Sequence, residues 1–146
     1  MEWTKEKKEK ACSIILDRIS DGESVRKILP NAGRSENLPA SKTFYDWVLD
    51  DETLAQQYAR AMMKRADVLA EEALDIADER EDDVIVLKDG RATVNHNVIN
   101  RDRLRVDTRK WFAGQLHPKK YGTRTILDGS VNQGITLQII KEEEDV

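Results

Sequence analysis

Residues 51–79, DETLAQQYARAMMKRADVLAEEALDIADE, decide the architecture of the chain. Leu54, Tyr58, Met62, Leu69, Ala73 and Ile76 recur at helical spacing, alanines fill the intervals, and no glycine or proline interrupts them. The pattern predicts one helix of about 27 residues, a rod of roughly 40 Å at 1.5 Å per residue. A small N-terminal domain cannot cover a stripe of that length. The rod therefore needs a second helix, a neighbouring subunit, or both.

Upstream, Thr4 is placed to cap a helix whose apolar positions Ala11, Ile14, Ile15 and Ile19 share a face, and Asp21-Gly22 ends it. Ser24 caps a short second helix through Val25, Ile28 and Leu29, which Pro30 stops because proline cannot continue the hydrogen-bond ladder. Asn31-Ala32-Gly33-Arg34-Ser35-Glu36-Asn37 reads as a loop, and Pro39-Ala40-Ser41 opens a third helix with Phe44, Trp47 and Val48 on one face. Three short helices with a tight loop before the third fit a helix-turn-helix unit over residues 1–50, its last helix aimed at a major groove. With Phe44, Trp47 and Val48 turned inward, Lys42, Thr43, Tyr45 and Asp46 point outward. Lys42 can meet phosphate or guanine acceptors, while Thr43 and Tyr45 can hydrogen-bond bases or backbone. Lys27 and Arg34 flank this face and can hold phosphates without reading sequence. The same side chains also fit an ordinary solvated surface.

Downstream, residues 51–122 form the helical oligomerisation domain of this reading. Within it, 84–94 reads as a hairpin insert: Val84-Ile85-Val86-Leu87, a turn through Asp89-Gly90, then Ala92-Thr93-Val94. A further helix runs from about residue 100 to 116, with Leu104, Trp111, Phe112 and Leu116 as its expected apolar side, and His117-Pro118 stops it. Arg101, Arg105 and Arg109 stand four apart on this helix, where like charges repel by about 0.2–0.5 kcal/mol per pair. Asp107 can pair with Arg103, but the larger compensation is the acidic end of the long helix, Glu71, Glu72, Asp75, Asp78 and Glu79. Antiparallel packing of the two helices, within a chain or between neighbours, neutralises both. Leu69, Ile76, Arg105, Asp107, Arg109 and Trp111 are accordingly assigned to oligomer assembly. Residues 123–146 hold short strand-like runs, Thr125-Ile126-Leu127 and Ile135-Thr136-Leu137-Gln138-Ile139-Ile140, before an acidic tail. So few strands are marginal alone and are expected to pair between subunits.

The chain has 146 residues, 36% of them charged and only 5% aromatic, which favours wet helices over a two-lobed enzymatic core. A net charge of −4 hides a block pattern: residues 51–83 hold four basic and eleven acidic side chains, and 84–127 hold ten and three. Local charge, not the total, governs contact with nucleic acid. A single cysteine, Cys12, excludes an intrachain disulfide and a cysteine-based zinc site. No apolar run reaches about 18 residues and no secretion signal is evident, so a soluble protein of the host cytoplasm without membrane contact is expected.

Arg103-Leu104-Arg105-Val106-Asp107-Thr108-Arg109-Lys110-Trp111, followed by Pro118-Lys119-Lys120-Tyr121-Gly122, resembles a signature of the small subunits of double-stranded DNA bacteriophage terminases. The resemblance extends over roughly residues 10–125 through Gly22-Glu23-Ser24, Pro39, Thr43, Trp47, Tyr58-Ala59-Arg60-Ala61 and Arg65-Ala66-Asp67; residues 84–94 and the tail match poorly. It implies a mainly α fold with an N-terminal DNA-binding domain, central helices assembled as a ring, and C-terminal strands forming a small barrel. It also implies recognition of viral DNA for packaging and engagement of a large subunit that carries the ATPase and nuclease. Relatives often carry a basic residue just before the tryptophan; here Asp46 stands there and repels phosphate, although it can accept from cytosine N4.

Enzymatic alternatives find little support. His96, Asp107 and His117 have no compact metal-ligand spacing, and no glycine-rich Lys-Ser/Thr phosphate loop is present. The chain is expected to be non-catalytic, with no metal and no cofactor. Two further readings stand beside the packaging subunit: a dimeric helix-turn-helix transcriptional regulator on a palindromic operator, and a structural assembly subunit that binds no DNA.

Overall fold

The computed structural model describes residues 2–32 and 35–123. Helix α1 (Lys5–Ser20) begins where the Thr4 hydroxyl accepts from the Lys7 N–H. It ends in a left-handed turn at Gly22, φ 104°, where the Gly22 and Glu23 N–H groups donate to the Ile19 and Arg18 carbonyls. Arg18 closes the turn from outside, its guanidinium donating to both Glu23 carboxylate oxygens at 2.8 and 2.7 Å. That pairing holds the Glu23 carboxyl below its ordinary range.

Helix α2 (Val25–Ile28) is a single turn capped by Ser24, and α3 (Ser41–Asp50) follows after a connection from Leu29 to Ala40. That connection is longer than the expected tight loop, because Leu29, Leu38 and Pro39 are all buried and draw the chain across the core before α3 begins. Ile15, Ile19 and Phe44 are wholly enclosed, joined by Ala11, Val25, Ile28, Leu29, Leu38 and, from α4 (Glu52–Asp78), Ala61. The expected α1 stripe needs one correction. Ile14 is 46% exposed, and Cys12 turns inward instead, where burial pushes its thiol up.

The Asp51 carboxylate caps α4 by accepting from the Leu54 N–H at 3.1 Å. The rod spans the predicted range. Its first half, with Tyr58 and Met62, packs on the N-terminal core, and its second half packs on α5 (His96–Leu116). Strands β1 (Val84–Val86) and β2 (Ala92–Val94) form the expected antiparallel hairpin between them, with Val84 opposite Val94 and Val86 opposite Ala92. Gly90 takes the positive φ of its turn, 81°.

Helix α5 starts four residues earlier than expected and runs antiparallel to α4: Phe112 meets Arg65, and Arg109 meets Glu72. Its expected apolar side is also corrected. Val98, Asp102, Arg105, Val106, Arg109, Phe112, Ala113, Gly114 and Leu116 are the more covered positions, whereas Leu104 and Trp111 are 67% and 63% exposed. Seven residues bring a helix back to the same face, so Leu104 and Trp111 share one side and Leu116 lies on another. Pro118 begins a further short helix, α6 (Pro118–Tyr121), at a position where its missing N–H is harmless. The strand-like segments expected at 125–127 and 135–140 lie outside the described residues.

Candidate nucleic-acid interface and assembly face

The one-turn α2 and the start of α3 border a shallow groove of about 350 Å³, lined among others by Arg26, Asn31, Ser41 and Tyr45. Because α3 buries Phe44 and half-buries Trp47 and Val48, Lys42, Tyr45 and Asp46 are exposed, as the helical spacing predicts; Thr43 is half-buried. The ring of Tyr45 lies edge-on to that of Tyr58, 6.5 Å between centroids, and 5.9 Å from that of Phe44. Burial, then the nearby Tyr45, raises the Tyr58 hydroxyl above its ordinary pKa. Tyr45, 43% exposed, is thus backed by aromatic packing on Phe44 and Tyr58.

Lys27 is exposed on α2 but does not line the groove, and Arg34 lies outside the described residues. Arg26 is the cation that sequence reasoning passed over. In a helix of four residues, adjacent positions point to different sides, and no periodicity is long enough to say which one borders α3. The groove offers a guanidinium, an amide, a hydroxyl and a phenol, a set suited to phosphate oxygens and base edges.

The proposed assembly residues divide. Ile76 is buried within the single chain and Leu69 is half-buried. Arg109 donates to Glu72 at 2.8 Å, the pairing of basic α5 with acidic α4 that the charge blocks foretold, here made within one chain. Arg105 bonds Asp102 on its own helix at 3.0 Å, while Asp107 is exposed. At the far end, Arg101 and Arg105 share a small cleft with Glu79, Glu81, Asp82 and Asp83. Near the other end, Lys120 and the Tyr121 hydroxyl both donate to the Asp67 carboxylate, at 2.8 and 2.6 Å, tying α6 to α4. Those two hydrogen bonds hold the Asp67 carboxyl below its ordinary range. Leu104 and Trp111 remain as large apolar groups facing away from α4, with Leu74 exposed on α4.

The family described as Bacteriophage Sf6, terminase small subunit-like, matches residues 7–128, most of the chain. The chain belongs to that family. Three crystal structures of the terminase small subunit gp1 of the bacterial virus sf6, each with a single substitution, are similar to this family member. Two align at TM-score 0.55, with 30% and 31% identity, over 84% of this chain and 79% of theirs. A third aligns at TM-score 0.57 with 30% identity, over 84% of each chain. No curated protein sequence matches this terminase small subunit relative. The family match runs through the 84–94 hairpin, the segment that the signature resemblance covered poorly. Among the described residues no group of three His, Cys, Asp or Glu side chains could hold a metal ion, and no helix is long and apolar enough to cross a membrane.

Proposed function

We propose that this chain recognises viral double-stranded DNA for genome packaging and recruits or regulates the large ATPase/nuclease subunit in the host cytoplasm, without catalysing a reaction itself. The observation that carries this reading is the family match over residues 7–128, which spans both the N-terminal helical unit and the α4–α5 hairpin. DNA contact is assigned to Lys27, Arg34, Lys42, Thr43 and Tyr45, joined by Arg26 of the groove. Few of these are basic, so binding per subunit is weak and salt-dependent, and strength comes from many copies acting together.

Assembly into a closed homo-oligomeric ring is assigned to residues 51–122, through the face of Leu104 and Trp111. An exposed tryptophan two turns along the same helical side from an exposed leucine is the surface a neighbouring subunit would cover. Leu69, Ile76 and Arg109 serve this assembly from inside the hairpin by fixing α5 on α4, with Arg105 in the acidic cleft at its end and Asp107 on its outer side. Residues 123–146 are assigned to strands pairing between subunits as a small barrel.

The test is duplex DNA binding by the full chain and by a variant carrying Lys27→Ala, Arg34→Ala and Lys42→Ala together. The variant should keep the native mass and lose DNA. Undiminished binding would move the DNA site, and the basic region 101–120 would be its next location. A two-fold dimer on a palindromic operator would replace this reading with that of a transcriptional regulator.

A further inference from the structure

Arg65 stands where three segments meet, the α1–α2 turn, α4 and α5. Its Nε donates to the Gly22 carbonyl at 3.1 Å, and the centre of its guanidinium lies 5.2 Å from the centroid of the Phe112 ring. The side chain is half-buried, yet among the described residues no carboxylate lies within salt-bridge distance of it. Glu72, the acidic neighbour, is engaged by Arg109. Burial lowers the Arg65 pKa from its ordinary value, the expected sign for a cation removed from water without an ion pair. A cation held this way is a poor source of stability, since an apolar side chain would fill the space without the desolvation cost.

What an arginine supplies here is geometry. Its guanidinium donates a directed N–H bond to one element while its charge sits over a ring of another, a combination that lysine, a point charge, does not reproduce. The turn it grips is also pressed tightly on α4: a Cβ on Gly22 would lie 2.9 Å from Val68 Cγ1. On the other side, Arg65 acts electrostatically on Tyr58, whose ring contacts Tyr45 of the DNA face.

We propose that Arg65 is a positioning residue that fixes the tilt of the N-terminal helical unit on the α4–α5 hairpin, so that neighbouring subunits present their DNA faces at one spacing. This rests on the ring and DNA face of the proposed function. It adds that alignment between subunits, beyond the chemistry of each face, sets the affinity for long DNA. Aligned sites gain avidity only when they can engage together.

The experiment uses the full chain with Arg65→Ala, Arg65→Lys and Phe112→Leu. Affinity is measured for a short duplex that occupies one face and for a long duplex that spans several, alongside native mass. Both Arg65 variants should keep their mass and their short-duplex affinity, and lose about tenfold or more on the long duplex, as expected when avidity fails. Phe112→Leu, which keeps the apolar contact but removes the ring, should lose long-duplex affinity too. Unchanged long-duplex binding, or full rescue by lysine, overturns the proposal. So does loss of the assembly in all three variants, which would make Arg65 a support of the hairpin. If the unmodified chain binds neither duplex, the DNA reading is what fails. The tilt is then read directly by spin labels on Lys10→Cys and Gln115→Cys in a Cys12→Ala background, diluted with unlabelled subunits. One narrow distance that broadens in Arg65→Ala upholds the clamp, and an unaltered distribution overturns it.

Discussion

The N-terminal helical unit and the far half of the α4–α5 hairpin are made of similar helices and reach opposite states. In the first, α1, α2, α3 and the start of α4 close over Ile15, Ile19 and Phe44, which keep no surface in contact with solvent. In the second, the buried positions are Ala66, Ala73, Ala113 and one larger residue, Ile76, while Leu74, Leu104 and Trp111 stay outside. Alanine lets two helices approach closely but buries little area, and buried apolar area supplies most of the stabilisation. Ion pairs such as Arg109 with Glu72 fix the register of the hairpin, yet partly exposed pairs contribute little. The first region is complete within one chain. The second has the composition of half an interface.

The largest expected effect sharpens that contrast from the complete side. Phe44→Ala should destabilise the chain by about 3–5 kcal/mol, the range for truncating a buried aromatic, and thermal unfolding should show it in the full chain. A melting point within a degree or two of the unmodified protein would mean that the N-terminal core is not the stable part.

Trp111→Ala tests the other side. In the single chain its ring is mostly in solvent, so the substitution should change subunit stability by no more than about 0.5 kcal/mol, as surface changes do. The native mass should nevertheless fall, because a ring covered by a neighbour is worth far more than one in water. Normal assembly by this variant would remove Trp111 from the interface.

This division was only partly legible in the sequence. The helices, their caps at Thr4 and Ser24, and the Asp-Gly hairpin follow from local chemistry that neighbours do not override, whereas the Asp51 cap of α4 is visible only in the structure. The α4 rod is legible because a stripe of that length has one periodicity. Ile14 and the α5 face are not, for a shared reason: an apolar residue one position off the buried face looks the same in sequence as one on it. On α5 the covered side mixes Asp102, Arg105 and Arg109 with Val98, Phe112 and Ala113, so hydrophobicity alone does not separate it from the side of Leu104 and Trp111. Arg26 escaped because a single helical turn carries no period. The sequence does not single out Arg65, since its contacts to Gly22 and Phe112 are 43 and 47 positions away.

At the joint between the two regions, Gly22→Ala should cost roughly 1–3 kcal/mol, because a left-handed backbone and the contact with Val68 both resist a side chain. Urea unfolding measures it. A neutral result would show that the turn is not pressed on α4.

The smallest effect concerns the tie of α6 to α4. The Asp67 carboxyl is depressed on folding, so its contribution is present above the unfolded carboxylate range and fades as pH falls through its lower folded value. Lys120 is raised by the same bond, so its contribution holds below the unfolded lysine range and fades as pH rises through the higher folded value. The protection of the Tyr121 and Gly122 amides, taken relative to the intrinsic exchange rate at each pH, should therefore be high at neutral pH and fall in acid, while the core around Phe44 stays protected. Protection that does not respond to acid, or that responds equally in Tyr121→Phe, would separate α6 from Asp67.

The contrast between a finished unit and an unfinished one is tested most directly by the native mass of the full chain at micromolar concentration. A single species of many subunits, closed and uniform in mass, is expected. A monomer would contradict it, because Leu104 and Trp111 would then stand in water on the functional form of the protein.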